Sequence, residues 1–464
     1  MRGVAPDLRP YQTQGVAQIR DHFANGVRRV CYQAPTGSGK TVLFCYVLGG
    51  AIAKGTQVLV LAHRQEIIDQ IDRALTGMGI PHGIIAAGYP GAADELVHVA
   101  SVATLVRRLD RVGNYGLVIV DECHHAVAGT WRQILSALST ARVLGVSATP
   151  ERLDGKGLND IFEVLVPGPT VKELINLGYL APFAAYGPKL DLNLDSVAVS
   201  AGDYRVDQLA EIMARSIVTK SAVSEYRRIC PGAPAIVFCV DIAHSRLVTD
   251  AFKADGWRAA HVDGNTPTHD RRALMQSLAD GSLQVLSNCG LISEGLDVPG
   301  VVAAILLRPT MSLSLYLQQV GRALRPGKPR AFILDHAGNI ERHGLPDFPH
   351  NWSLEGRPKG SSYGAPVRRC EACGASNPIS AKHCHACGAS LYVSPPEREP
   401  KQVRDSELTE INMSERDRLA TMPALEAIRW AGRDRERLKL VADARGYKPG
   451  WIYYRMREPR NDVL

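Results

Sequence analysis

The octapeptide APTGSGKT at residues 34–41 constrains this chain more than any other stretch. It stands between a short run rich in β-branched and aromatic residues, 27–32, and TVLFCYVLGGAIAK, which has helical length and apolar spacing. Gly37 and Gly39 let the backbone approach a triphosphate closely, so that successive N–H groups and the positive end of the next helix face its oxygens. Pro35, Thr36 and Ser38 complete such a cradle. Lys40 then reaches the β- and γ-phosphates of ATP, and the Thr41 hydroxyl is set to hold Mg²⁺. The loop pattern usually opens on Gly, where this chain has Ala34. Taken alone, the motif also fits a Gly-rich turn ahead of an ordinary helix; the motifs downstream of it, in their order along the chain, remove that reading.

From Val27 to Thr149, short apolar runs alternate with helical segments, as in QVLVLA at 57–62, LVHVAS at 96–101, GLVIVDE at 116–122 and RVLGVSAT at 142–149. This predicts a parallel sheet covered by helices on both faces. The pattern weakens after Pro150 and resumes with AIVFCV at 235–240, RAAHV, LQVLSN, VVAAILL and RAFILD. The predicted fold class is therefore α/β, with two tandem parallel-sheet domains, 1–170 and 217–342, and a connector at 171–216. A helix is expected over LSLYLQQVGRAL, and a ligand cleft between the domains. Residues 343–366, rich in Pro, Gly and Ser, read as a linker with few packed contacts. A cysteine-rich module at 367–392 and a linker with a basic helical tail at 393–464 complete the chain.

With 464 residues, 45% of them apolar, each domain can bury a full core, which excludes a disordered protein. The net charge of +7 suits a polyanionic partner without identifying one. No run approaches the roughly 18 apolar residues of a membrane span, and the start MRGVAPDLRPYQ lacks the apolar core of a signal peptide. Six of the ten cysteines are scattered among apolar neighbours and read as buried free thiols, so a reducing, cytoplasmic location is expected.

DECH at 121–124 follows the apolar strand GLVIV, and ligands bind at the C-terminal ends of strands in open α/β sheets. There Asp121 can hold the Mg²⁺ shell, and Glu122 can orient and deprotonate an attacking water. In QQVGRALR at 318–325, Arg322 and Arg325 stand three apart, as on one helical face. From across the cleft they could stabilise charge on a transferring phosphoryl group. A solvated basic face is the alternative.

These stretches occur in one order with several others, and together residues 8–340 resemble the superfamily 2 helicases and translocases. LRPYQTQGV at 8–16 is similar to the family's adenine-reading segment, with Gln12 implied at the base. LAHRQEIIDQ and SVATL match its first-domain strand-binding motifs, SATP at 147–150 its coupling motif, and FCVDIAHSRLV, VDGNTPTHDR, NCGLISEGLDVPG and LQQVGRALRPGK its second-domain motifs. The resemblance implies two RecA-like domains closing on ATP, with Gly295 and Asp297 among the nucleotide-binding residues. It also implies a nucleic-acid strand contacted by Arg64, Ser101, Thr104, Gly264 and Asn288. DECHHA, RPTMSLSLYLQQVGR and ILDHAGN resemble most the RadD and XPB-like DNA-dependent ATPases, which favours DNA, single-stranded or branched, over RNA, and a role in repair, recombination or replication. Motifs rich in Ser, Thr, Gly and Asn suit sugar and phosphate contacts, hence sequence-independent binding. RNA is the alternative substrate, and an ATP-gated clamp with little turnover the alternative activity.

CEACGASNPISAKHCHACG carries two CxxCG knuckles ten residues apart. Cys370, Cys373, Cys384 and Cys387 can present four thiolates to Zn²⁺, with glycine freeing the turn after each knuckle. A redox dithiol pair, or His383 or His385 replacing one thiolate, are the competing readings. Asn377, four residues past Cys373, also resembles its counterpart in Ran-binding-protein type fingers that bind single-stranded RNA, although Arg368 stands where those have Trp. In the tail, Leu419, Met422, Leu425 and Ile428 read as a stripe packing on the body. Basic residues interleaved with Trp451, Tyr453 and Tyr454 suit either a backbone-tracking groove or a small anchored helical unit.

Overall fold

The computed structural model describes residues 7–89, 95–111, 113–126, 129–152, 155–187, 194, 197–200, 202–213, 216–291, 300–356, 367–391, 415–448 and 450–457. The chain divides into two compact units, 1–392 and 393–464.

The first domain of the larger unit comprises α1 (Pro10–Ala24), β1 (Arg29–Gln33), α2 (Lys40–Ile52), β2 (Val58–Ala62), α3 (Gln65–Gly77), β3 (Gly83–Ile85), β4 (Val97–Ser101), α4 (Val102–Leu105), β5 (Leu117–Asp121), α5 (Gly129–Ala137), β6 (Arg142–Ser147) and β7 (Val164–Pro167). Its seven strands form a parallel sheet in the order β3-β4-β2-β5-β6-β1-β7. Central strands such as β2 are buried along their whole length, as continuous β-branched and Leu runs require when helices cover both faces. Val58 and Val60 join the core on one face, Leu59 and Leu61 the core on the other.

The second domain follows with α6 (Val171–Asn176), β8 (Phe183–Tyr186), the two-stranded ribbon β9 (Val199–Ser200) and β10 (Asp203–Tyr204), α7 (Val206–Met213), α8 (Ser216–Ile229), β11 (Ala235–Phe238), α9 (Ile242–Ala254), β12 (Ala259–Val262), α10 (Thr268–Ala279), β13 (Val285–Asn288), β14 (Ala303–Leu306), α11 (Leu313–Gly321), β15 (Ala331–Asp335) and α12 (Asn339–His343). Two further short strands, β16 (Val367–Arg369) and β17 (Ala375–Pro378), complete an eight-stranded sheet in the order β12-β13-β11-β14-β15-β8-β17-β16. The pairings are parallel as far as β8 and antiparallel beyond it.

The tandem parallel-sheet architecture is as expected, but three local readings change. The stretch read as a connector is built into the domains: β7, shortly before it, pairs with β1, and β8, inside it, pairs with β15. The expected helix over 313–324 stops at Gly321, and Arg322 to Arg325 follow as a tight turn, so the two arginines do not share a regular helical face. The Pro- and Gly-rich linker is packed where described, with Leu345 and Leu354 only 2% and 7% exposed.

In the smaller unit, α13 (Glu415–Thr421), α14 (Ala424–Ala431), α15 (Arg435–Arg445) and α16 (Gly450–Arg457) enclose their own core of Leu419, Ala427, Ala431, Leu438 and Val441. Leu419 and Met422 pack there, and Pro423 breaks the expected stripe between α13 and α14. The Leu425 side chain lies outside the described residues. Trp451 packs against this core, whereas Tyr453 is 56% exposed. Among the described residues no helix is long and apolar enough to cross a membrane.

Candidate nucleotide site and metal centre

The loop between β1 and α2 has the conformation its glycines permit. Gly37 (φ 86°) and Gly39 (φ 80°) are left-handed, and a Cβ on Gly39 would stand 2.7 Å from Gln12 Nε2. Lys40 arcs back over the loop, its Nζ donating to the carbonyls of Ala34 (3.1 Å) and Pro35 (3.4 Å). Thr41 occupies the first turn of α2 and is half-buried. Gln12 is buried, with Nε2 donating to Ser38 O (3.3 Å) and Gly39 O (3.1 Å) and Oε1 accepting from Arg9 N (2.9 Å). Its amide thus braces the loop from outside. Tyr11 adds a second brace, donating to Ser38 O at 2.6 Å, and the Arg9 guanidinium stacks 4.3 Å from the Tyr179 ring centre. Tyr179 carries no motif spacing that would single it out, and within LRPYQTQGV the resemblance points to Gln12 and not to Tyr11.

Asp121 closes β5 and accepts from the Glu122 amide at 3.0 Å. Burial first, then the Glu122 carboxylate, push the Asp121 carboxyl up to about 7, while the Lys40 ammonium pulls it down. A divalent cation would relieve that frustration, so Asp121, with the Thr41 hydroxyl at the loop, fits a magnesium–nucleotide pair. Glu122 has φ 48°, the one left-handed non-glycine among the described residues, and it turns the chain sharply out of the sheet.

From beside Glu122 a hydrogen-bond chain that begins at His124 runs to the second domain. His124 Nδ1 lies 3.4 Å from Glu122 Oε2 and 3.0 Å from Ser147 Oγ. Ser147 Oγ donates to Thr149 O at 3.0 Å, which leaves it accepting from a His124 tautomer protonated on Nδ1. Thr149 Oγ1 then lies 2.5 Å from Ser314 Oγ on α11. Sequence reasoning missed Ser314, because a buried helix serine is ordinarily a packing residue.

The same helix brings the predicted arginine turn to the loop. A Cβ on Gly321 would stand 2.7 Å from Thr36 Cβ, so the backbone leading into Arg322 touches the phosphate loop. Arg322 is 5% exposed and Arg325 half-buried just beyond. Gly295 and Asp297 lie outside the described residues.

Arg64, Ser101, Gly264 and Asn288 all lie at or just past C-terminal strand ends, with Thr104 one turn further along α4. Arg64 Nη1 donates across the domains to Gly290 O (3.2 Å) and Leu291 O (3.4 Å). Ser101 and Thr104 are half-buried, and Gly264 is exposed with open space around it. Asn288 closes β13 with its side chain 1% exposed and donating to Val237 O at 2.8 Å, so it also braces β13 against β11.

The four cysteine Sγ atoms of the knuckles lie within 4.8 Å of one another. Cys370 to Cys387 is 3.7 Å and Cys373 to Cys384 is 3.6 Å, close to the edge of about 3.8 Å expected of a tetrahedron with zinc–sulfur bonds near 2.3 Å. Each knuckle repeats one backbone pattern, Gly374 N to Cys370 O and Gly388 N to Cys384 O, both 2.8 Å. The donor set fits a four-thiolate zinc centre. Asn377 is fully buried and points inward, its Nδ2 donating to Ala375 O (2.9 Å) and Cys384 Sγ (3.5 Å). β17 pairs with β8, and Arg330 donates to Ala386 O (2.8 Å) and His385 O (3.1 Å), so the ribbon is an edge of the second domain.

With α11 of one parallel sheet pressed against the phosphate loop of the other, the chain is a two-domain RecA-like ATPase. Comparison with known proteins narrows the class. Residues 5–152 match the family described as type III restriction enzyme, res subunit, and residues 221–327 the helicase conserved C-terminal domain. A 51.5 kDa protein of a Lactococcus phage is 35% identical over 356 residues, 75% of each chain. The putative ATP-dependent helicase IRC3 of Saccharomyces cerevisiae is 30% identical over 357 residues, 72% of this chain but 52% of that protein, so this chain spans about half of its length. A solved HsdR fragment of a type I restriction enzyme from Vibrio vulnificus shares the fold with a TM-score of 0.59 and 21% identity, over 77% of this chain and 69% of that one. The chain belongs to the superfamily 2 helicases, and its reaction is nucleic-acid-dependent ATP hydrolysis.

Proposed function

We propose that the protein is a DNA translocase or helicase that couples ATP turnover to movement along, or remodelling of, single-stranded or branched DNA during repair, recombination or replication. The observation that carries this reading is the hydrogen-bond chain from His124 through Ser147 and Thr149 to Ser314, which starts 3.4 Å from the Glu122 carboxylate of one domain and ends on the helix of the other. The chemistry at one end and the domain position at the other are then one mechanical element. DNA is favoured by the DECHHA and ILDHAGN resemblance and by the restriction-enzyme family matched in the first domain.

In the proposed reaction the loop amides and Lys40 hold the β- and γ-phosphates, and Gln12 reads the base while reporting on the loop. Thr41 and Asp121 would hold a magnesium ion, which would supply charge neutralisation at the phosphates. Glu122 takes the proton of the attacking water as the γ-phosphoryl bond to ADP breaks, and Arg322 and Arg325 stabilise the charge on the transferring group. Gly295 and Asp297 are assigned to nucleotide binding, and Arg64, Ser101, Thr104, Gly264 and Asn288 to the sugar–phosphate backbone.

Steady-state ATPase assays with no nucleic acid, single-stranded DNA, duplex, forked DNA and RNA, alongside Glu122→Gln, test this. Stimulation by DNA over RNA, lost in the variant, is expected. Stimulation mainly by RNA would replace the substrate, and turnover indifferent to every nucleic acid would overturn the motor.

A further inference from the structure

After α12 the chain takes a route that the two-domain motor does not require. Gly344 O accepts from the buried Tyr316 hydroxyl at 3.0 Å, Leu345 enters the second-domain core, and Phe348 and Trp352 pack against that core. Two residues later Leu354 enters the first-domain core beside Trp131, Ile134 and Phe162. Its carbonyl accepts from Leu158 N (2.7 Å) and Asn159 N (3.0 Å), and Lys156 and Gly356 form an antiparallel bridge. The chain then re-enters the second domain's sheet at Val367.

The landing point admits no side chain. A Cβ on Gly157 would stand 1.8 Å from Leu354 O, and one on Gly356 would stand 2.3 Å from Gly157 N. Gly157 is not left-handed, so backbone contact with the strap, and not its own conformation, demands glycine there. The anchors Trp352 and Leu354 lie two residues apart, a reach of at most about 7 Å. The two domains therefore have little freedom to separate at this point. The strap also runs beside the covalent crossing between β7 and β8, since Pro169 joins Phe348 and Trp352 around one cavity of about 330 Å³, walled on its other sides by Thr36 and Gly321.

We propose that residues 345–356 are a second hinge strand that positions the arginine turn after α11 against the phosphate loop at each closure. A body held by one flexible crossing can twist as well as close, whereas two crossings side by side leave rotation about the line through them as the easy motion. Leu354 and Gly157 are positioning residues, neither touching nucleotide. The inference rests on ATP turnover in the cleft.

Three full-length variants test it: Gly157→Ala, replacement of 346–356 by a Gly/Ser chain of equal length, and the two combined. Each is measured for DNA-stimulated kcat, affinity for a fluorescent ATP analogue, and melting temperature. Loss of alignment should lower kcat by about tenfold to a hundredfold, while affinity, a property of the first-domain loop, stays within about twofold. The combined variant should match the Gly/Ser strap alone, because a strap without Trp352 and Leu354 is no longer seated on Gly157 and its backbone can move away from the added methyl. Retention of kcat within twofold in both single variants, or effects that add in the combination, would overturn the hinge. So would affinity falling in step with kcat. If Gly157→Ala does not fold, the Gly/Ser strap decides alone, and a wild-type chain without turnover would take this inference down with the ATPase reading.

Discussion

Thr149 Oγ1 and Ser314 Oγ lie 2.5 Å apart, one in the SATP turn after β6 and the other on α11, and both side chains are buried. No solvent competes for this bond, so it forms only when the two domains are in register. Ser314→Ala leaves the Thr149 hydroxyl unsatisfied at the interface, at a cost of about 1–3 kcal/mol to the closed arrangement. DNA-stimulated kcat should drop about tenfold or more, with nucleotide affinity unchanged. A kcat within twofold of wild type would show that the pair is only packing.

Acid should unfold the second domain early. His244 on α9 is 2% exposed and neither ring nitrogen has a hydrogen-bond partner among the described residues. Burial pushes it down to about 4, and does the same for His336. The unfolded chain binds protons at these sites below about pH 6.5 and the folded chain does not, so their contribution is complete above that pH and drains away towards pH 4. The penalty from His244 alone is about 2 kcal/mol at pH 5. Urea midpoints at pH 7.5 and pH 5 should converge in His244→Leu relative to wild type. An equal acid shift in both proteins would contradict the assignment.

Gly145 in β6 has no room for a methyl group, since a Cβ would meet Phe162 Cζ at 2.4 Å and Cys123 Cβ at 2.9 Å. Gly145→Ala should destabilise the chain by about 1–3 kcal/mol through overpacking behind the DECH turn. Adding Phe162→Leu should recover part of the loss. Unfolding of Gly145→Ala at the wild-type midpoint would refute the contact.

The ribbon should carry one zinc per chain by atomic absorption, and Cys387→Ser should lose it even though that thiol is exposed at the rim. Chelation should open residues 367–391 to proteolysis, because a module of this size has too little apolar surface to hold its shape without metal. Full zinc occupancy in Cys387→Ser would rule out the four-thiolate set.

The features legible in the sequence are those whose chemistry is local. The loop at 34–41 needs particular residues at fixed spacing, and so do the knuckles, because a phosphate and a metal ion each impose a short-range geometry. Strand runs such as VLVLA are equally plain, since burial on two faces leaves continuous apolar sequence. What escapes is long-range. Leu345, Phe348 and Trp352 fall at helical spacing, but Pro346 and Pro349 between them break any helix, so the setting disguises a packed strap as a tether. Ser314 escapes because its partner lies 165 positions away.

The pairing of β17 with β8 gives the metal site a second physical role. Without the ribbon, β8 would be the outermost strand of the second sheet, with a row of free amides and carbonyls open to any passing chain. A fold that holds the four thiolates together thereby also keeps that edge covered, quite apart from how fast the chain consumes ATP.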